Sequence, residues 1–354
     1  MLERRPGAKL WPLLACIALI AAAGCDGERP AEPVVIKFPH VTAAATPKGQ
    51  ATERFKALVE ARFPGRVRVE VYPSAQLMEA RDSVEALAFG EIQMIADSLS
   101  IYDRLTKQFQ IFDLPFLFED LAAVERFQQS TGGQALLDAL ADKGIKGLAF
   151  WHNGMKQFSG PRPLTVPDDA RGLKFRIMES DVLMAQVAAV GASPQKMAFS
   201  EVYQALQTGT VDAQENTWSN TYSSKFYEVQ PFITESNHGY LGYFVATNAE
   251  FWDALPDDIR AGLEEILAEV TAWSNARAGE VNAAARQSIV DSGRSRIVAL
   301  DDDGLEAWRR AMAPVWDEFR DEIGPALIDA ALAIAGASAG ASAGAGAGAG
   351  AEPR

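Results

Sequence analysis

Apolar positions recur along this chain with two periods. "VVIKF" (34–38) is a run of the buried-strand type, and "GQATERFKALVEARF" (49–63) sets Phe55, Leu58, Val59 and Phe63 at helical spacing. "GRVRVEVYP" (65–73) alternates apolar with polar residues, as a half-buried strand does, and stops at Pro73. "ARDSVEALAFGEIQMIADSL" (80–99) reads as a helix, a stop at Gly90 and a strand. The resulting order, β-α-β-α-β, favours an α/β sheet over a helical bundle or a β-sandwich.

The pattern continues downstream. "GQALLDALADKGIKGLAFWHN" (133–153) predicts a helix with a glycine stop and then a strand. In "GLKFRIMES" (172–180) Leu173, Phe175 and Ile177 alternate with Lys174 and Arg176, and a helix is expected around 181–190. Phe199, Val202, Tyr203 and Leu206 share one helical face, with Ser200 as a cap, Gly209 as a stop and "TVDAQE" (210–215) as the next strand. From Pro256, a natural first-turn residue, to Ala285 a helical stretch runs without an internal proline. At "DDDG" (301–304) a helix cap at Asp303 is expected rather than a calcium loop, because the alternating ligand spacing is absent.

The two ends stand outside this pattern. Arg4, Arg5 and Lys9 precede an apolar run from Leu10 to Ala23 that ends in "AAAGC", the form of a secretory signal peptide (1–24). "AAGC" is similar to a bacterial lipobox, which would make Cys25 a lipidated first residue, anchored at the inner membrane by the following Asp26. Ala22 stands where leucine is usual, so plain signal-peptidase cleavage is the alternative. Residues 25–33 form a polar tether, and 334–354 an alanine/glycine/serine tail of low complexity.

Composition narrows the chemistry. The two cysteines, Cys16 and Cys25, both lie at the leader, so the mature domain has neither a disulfide nor thiol chemistry. Net charge is −14, and because residues 1–24 carry +2 the remainder carries −16. Such a surface repels nucleic acid and anionic lipid, so any anion site must be a local cationic pocket. The three histidines, His40, His152 and His238, are scattered and fit no zinc motif. Nucleotide-binding glycine patterns and a coherent catalytic set are also absent. Neither cofactor nor metal nor enzymatic activity is expected.

Binding residues are better represented. Arg176 carries a planar fork that can hold a carboxylate bidentately. Lys156 in "NGMKQF" reads as following directly on a strand, and Asn216 in "QEN" as following another. Ligands of open α/β sheets bind beyond such strand ends. Spacing leaves Arg176 open between a core ion pair and a ligand clamp, and Lys156 between a solvated lysine and a second cation.

These residues lie in longer stretches. "HVTAAATPKGQATERF", "IFDLPFLFED", "GLAFWHNGMKQFSG", "GLKFRIMES", "GASPQKMAFSEVYQALQTGTVDAQEN" and "FYEVQPFITESNHGYLGYFVATNAEFWDALPDDIR" closely resemble the DctP family, the substrate-binding proteins of tripartite ATP-independent (TRAP) transporters. The resemblance covers roughly residues 35–330. It implies a two-lobed α/β periplasmic-binding-protein-like clamshell with discontinuous lobes, 34–153 with 243–281 and 154–242 with 282–333, and a long helix spanning both. Arg176 then inherits the role of carboxylate clamp, Asn216 that of an amide donor, Phe199 that of an aromatic packed on the ligand, and His238 that of a pocket residue. Asn216 is matched although Ala213 stands where glycine is usual and Thr217 where proline is usual.

"NGMKQ", with "TPKG" (46–49) and "SLS" (98–100), is most similar to the C4-dicarboxylate binders, which adds Lys48 and Ser98 to the ligand set. The implied solute is succinate, fumarate or malate, with Arg176 and Lys156 dividing its carboxylates. Asp97 in place of a common proline, and Tyr102 near a usual phenylalanine, depart from the pattern. An acid there would disfavour a second carboxylate or hydrogen-bond a hydroxyl. The implied partners are the organic acid and a membrane permease of a small and a large subunit, the chain acting as a periplasmic monomer. A ligand sensor for a membrane kinase, or a binder of a 2-oxo, sugar or aromatic acid, are the alternatives.

Overall fold

The strand and helix signals assemble into a mixed α/β architecture in the computed structural model, which describes residues 32–334. The leader, Cys25, the tether as far as residue 31 and the tail from residue 335 lie outside the described residues. Strand β1 (Val34–Pro39) pairs in parallel with β2 (Val67–Tyr72) through the crossover helix Pro47–Arg62. Thr46 caps that helix by accepting from the Gly49 amide, and Phe55 and Val59 are buried on its inner face. A Cβ at Gly49 would lie 2.4 Å from the Ala43 carbonyl, so the tight entry to the helix requires glycine.

The remaining strands form one sheet. They are β3 (Met94–Ser98), β4 (Ile145–Gly160), β5 (Lys174–Ile177), β6 (Ser193–Lys196), β7 (Ala213–Asn216), β8 (Phe232–Asn248) and β9 (Arg296–Ala299). Their order is β3-β8-β4-β7-β5-β6, with β9 also beside β8. The β-α-β-α-β succession of the N-terminal part is therefore not one continuous sheet. β3 leaves the β1–β2 pair and runs antiparallel to β8, with Asp97 opposite Phe244.

Three long elements cross the molecule. β4 and β8 have 16 and 17 residues, or roughly 50 Å of strand each. The helix Asp257–Ser292 has 36 residues, or about 54 Å. It continues past Ala285 to a stop at Gly293, and Pro256 caps it from outside rather than occupying its first turn. Its first half buries Ile259, Leu263, Ile266 and Val270 with Phe38, Phe55 and Trp151, whereas Ala285 and Ile289 pack with Trp218 and Ile233. One helix thus contributes to the cores of both lobes. The final helices divide: Trp308 and Met312 join Phe158 and Phe175 in the second lobe, but Val315, Phe319 and Ile323 pack with Phe112 and Phe127 of the first. That packing departs from the expected grouping of 282–333 as a single block.

β4 and β8 are paired with register shifts at 147/149, 152/154 and 156/158. The middle shift leaves β4 backbone groups in need of partners, and the long helix supplies them. Asn275 accepts from the His152 amide at 2.8 Å and donates to the Phe150 carbonyl at 3.0 Å, while Asn282 donates to the Asn153 carbonyl at 2.6 Å. The two asparagines are two helical turns apart, so both face the strand.

Local expectations need three corrections. The helix expected from 133 is a five-residue helix, Thr131–Ala135, followed by 3₁₀ turns before Gly144; its paired glycines propagate a helix poorly. Asp301, not Asp303, caps Asp302–Met312, because its carboxylate is the one that reaches the Gly304 amide, at 2.8 Å. Ser200 lies in a 3₁₀ turn, and its hydroxyl donates to Glu79 rather than capping the helix Val202–Thr208. Among the described residues no helix is long and apolar enough to cross a membrane.

Candidate ligand-binding site

A cavity of about 90 Å³ lies between the lobes. Lys48, Asp97, Ser98 and Tyr243 line it from the first lobe, and Arg176, Phe199 and Asn216 from the second. A single water needs about 10–15 Å³ by the same measure, so the space suits a small organic molecule. Two contacts join the lobes near its edge: Ser200 donates to Glu79 at 2.5 Å, and Arg81 lies 3.5 Å from Glu179.

Arg176 points inward from β5, between β6 and β7, and is buried. Its Nε and Nη2 donate to the Met197 carbonyl at 3.2 and 2.8 Å, which fixes the guanidinium plane and leaves Nη1 for another acceptor. Among the described residues no carboxylate oxygen approaches it within 4.0 Å. Burial pulls its pKa down to about 10, opposed by the fields of Glu215 and Glu201. Arg176 is therefore a desolvated cation held by a neutral carbonyl, not a member of a core ion pair. The Phe199 ring stands 6.0 Å from the guanidinium and edge-on to Phe226.

Asn216 ends β7. Its Oδ1 accepts from the Thr217 amide at 3.0 Å and from Asn220 at 2.9 Å, so the side-chain NH₂ is the group left to donate. Asn220 in turn accepts from Asn153 at 3.1 Å, and Asn153 also reaches the Tyr243 hydroxyl. This amide chain ties the second-lobe donors to β4 and β8. Asn220 and Tyr243 escaped sequence reasoning. The position of Asn220 four residues after Asn216, in the short helix Trp218–Ser223 that follows the strand, was the signal available for it.

Lys48 lies in the first turn of its helix and is buried. Its Nζ donates to the Ala96 carbonyl at 2.9 Å, stands 4.1 Å above the Tyr243 ring and is 3.8 Å from Asp97. Burial lowers its pKa to about 8, and Asp97 opposes that shift. Asp97 receives a hydrogen bond from Ser83 on Oδ2, while its buried Oδ1, the atom nearest Lys48, has no hydrogen-bond partner among the described residues. Burial raises this carboxyl, with Lys48 acting in the other direction. Ser98 caps the following 3₁₀ turn through the Ser100 amide at 3.4 Å.

Two expected ligand residues are placed elsewhere. Lys156 is within β4 rather than after a strand, because β4 continues through its bulges to Gly160. Its Nζ contacts Glu215 at 2.6 Å and Asp113 at 4.0 Å, and its stem crosses Gly239, where a Cβ would lie 2.8 Å from Lys156 Cε. His238 stacks on Phe158 at 3.6 Å and bonds Ser236 at 2.8 Å and Glu215 at 3.1 Å. Neither side chain lines the cavity. Burial alone would raise the Glu215 carboxyl, but Lys156 and His238 outweigh it and hold the group at about 2. Successive residues of a strand face opposite ways. Glu215 therefore turns towards this network while Asn216 turns to the cavity.

Two lobes sharing long strands and one helix, with a cavity between them that holds the buried Arg176 and Lys48, define a solute-binding protein. The family model for DctP, bacterial extracellular solute-binding protein family 7, matches residues 38–322, and the chain belongs to this family. It is 51% identical over 316 residues to the C4-dicarboxylate-binding periplasmic protein DctP of Shewanella loihica, covering 89% of this chain and 94% of that one. Among solved structures it is similar to a TRAP periplasmic solute-binding protein of Shewanella oneidensis with bound succinate. That similarity has a TM-score of 0.85 and 52% identity over 86% of this chain and 99% of the other. A Pseudomonas aeruginosa TRAP protein with bound L-malate gives a TM-score of 0.79 and 48% identity over 81% and 100%. The family is one of solute-binding transport proteins.

Proposed function

We propose that this chain captures a C4-dicarboxylate in the periplasm and delivers it to a TRAP permease of a small and a large membrane subunit. The observation that carries the reading is Arg176, a buried guanidinium in the cavity with no carboxylate among the described residues within 4.0 Å. A ligand carboxylate completes it, with the Asn216 amide as a second donor. Lys48, which lines the cavity from the first lobe, takes the second carboxylate. It replaces Lys156 in that role because Glu215 already occupies the Lys156 ammonium. Capture buries the ligand between the lobes, and closure follows from contacts to both. The leader supports export, and lipidated Cys25 would tether the protein to the inner membrane.

Thermal-shift measurements across mono- and dicarboxylates test this reading, since a ligand that binds the folded state raises Tm by mass action. Succinate, fumarate and malate should raise Tm, and acetate and glutarate should not. A panel in which no four-carbon diacid raises Tm contradicts the proposal.

A further inference from the structure

Lys48 and Asp97 lie side by side at the first-lobe end of the cavity, 3.8 Å apart, and both are buried. Their remaining hydrogen-bonding capacity is opposite in kind. Lys48 has used one N–H on the Ala96 carbonyl and can still donate. Asp97 has used Oδ2 on Ser83, and its Oδ1, which faces Lys48 Nζ at 3.8 Å, is a buried acceptor with no hydrogen-bond partner among the described residues. Leaving such an oxygen unsatisfied is costly, so a ligand that fits this end should bring a donor to it.

A simple carboxylate accepts from Lys48 but has nothing to donate to Asp97, and its charge repels that oxygen. An ammonium donates to Asp97 but cannot accept from Lys48. A hydroxyl does both. Placed on the carbon next to a carboxylate, it satisfies Asp97 while the carboxylate takes Lys48, and the distal carboxylate remains for Arg176.

We infer that Asp97 is a specificity-determining residue that selects a hydroxylated C4-dicarboxylate, of the malate type, over the unsubstituted diacid. This assignment rests on the dicarboxylate reading of the same cavity and adds the hydroxyl to it. The Oδ1 of Asp97, buried without a hydrogen bond, the adjacent Lys48 and Arg176 in the same cavity carry it.

Calorimetric titration of the full chain with both malate enantiomers, succinate and methylsuccinate tests the inference. Methylsuccinate carries a methyl group in place of the hydroxyl and so controls for size. One malate enantiomer should bind at least about tenfold tighter than succinate, the scale of a hydrogen bond to a charged group, and methylsuccinate no tighter than succinate. In Asp97→Asn the side-chain NH₂ can donate to a carboxylate, so the preference should shrink to about threefold or less, mainly through tighter succinate binding. Equal binding of malate and succinate by the unaltered protein overturns the inference and leaves dicarboxylate capture standing. Binding of none of these acids overturns both. An undiminished malate preference in Asp97→Asn also overturns it.

Discussion

Glu215→Gln tests whether Lys156 belongs to the framework or to the ligand. The exchange keeps the shape of the side chain but removes a carboxylate that lies 2.6 Å from the Lys156 ammonium and 3.1 Å from His238. Both partners are almost wholly inaccessible, at 1% and 3% exposure. Screening by water is therefore weak, and Lys156 would be left charged and poorly paired, with Asp113 at 4.0 Å as its nearest counter-ion. Breaking one side of a buried pair costs about 3–5 kcal/mol. For a domain of this size that corresponds to a fall in Tm of roughly 5–8 °C. Lys156→Met with Glu215→Gln removes both charges and should regain at least half of that loss, because no buried ammonium is stranded. Calorimetric or fluorescence unfolding of the four proteins gives the coupling energy directly. The double variant should also keep its dicarboxylate affinity within a few-fold. Additive Tm losses would refute the ion-pair reasoning. A loss of about a hundredfold in affinity, with Tm recovered, would return Lys156 to the ligand set.

Two further outcomes follow from the same geometry. Dicarboxylate affinity should fall as pH rises above about 8, the pKa to which burial lowers Lys48. A bound carboxylate raises that pKa, so the charged form is favoured in the complex, and affinity is lost only once free Lys48 deprotonates. Calorimetry at pH 9 should read about tenfold weaker binding than at pH 7; Lys48→Met should be weak and insensitive over this range, and an unchanged affinity in the unaltered protein would contradict the role. Gly154→Ala should destabilise the protein by about 1–3 kcal/mol, because a Cβ there would lie 2.8 Å from the Asn282 Nδ2 that bonds the Asn153 carbonyl. Chemical denaturation measures this, and a wild-type midpoint would contradict the account of the bulge.

The periodic elements were legible because a buried face imposes its repeat on the sequence. The helix Pro47–Arg62 and the strand around Arg176 follow from their apolar spacing, and the long helix from its run without an internal proline. The ligand clamp was half legible. Alternation placed Arg176 on a strand, but whether an acid faced it depended on β6 and β7, which periodicity does not position. Lys156 and Lys48 show the limit most clearly. Each is a buried lysine, and each is decided by a distant partner, Glu215 for one and the Ala96 carbonyl for the other. Bulges in β4 also hid its true length, so Lys156 read as a strand end. Within "DDDG" three acids had similar capping potential, and the turn geometry chose Asp301.

The central claim is that Arg176 is a carboxylate clamp, fixed by the Met197 carbonyl and completed by the ligand. Calorimetric titration of the unaltered protein and of Arg176→Lys with succinate and malate tests it most directly. A lysine keeps the charge but not the planar fork, so affinity should fall by about a hundredfold or more while the folded state is retained. Near-unaltered affinity in Arg176→Lys would contradict the account.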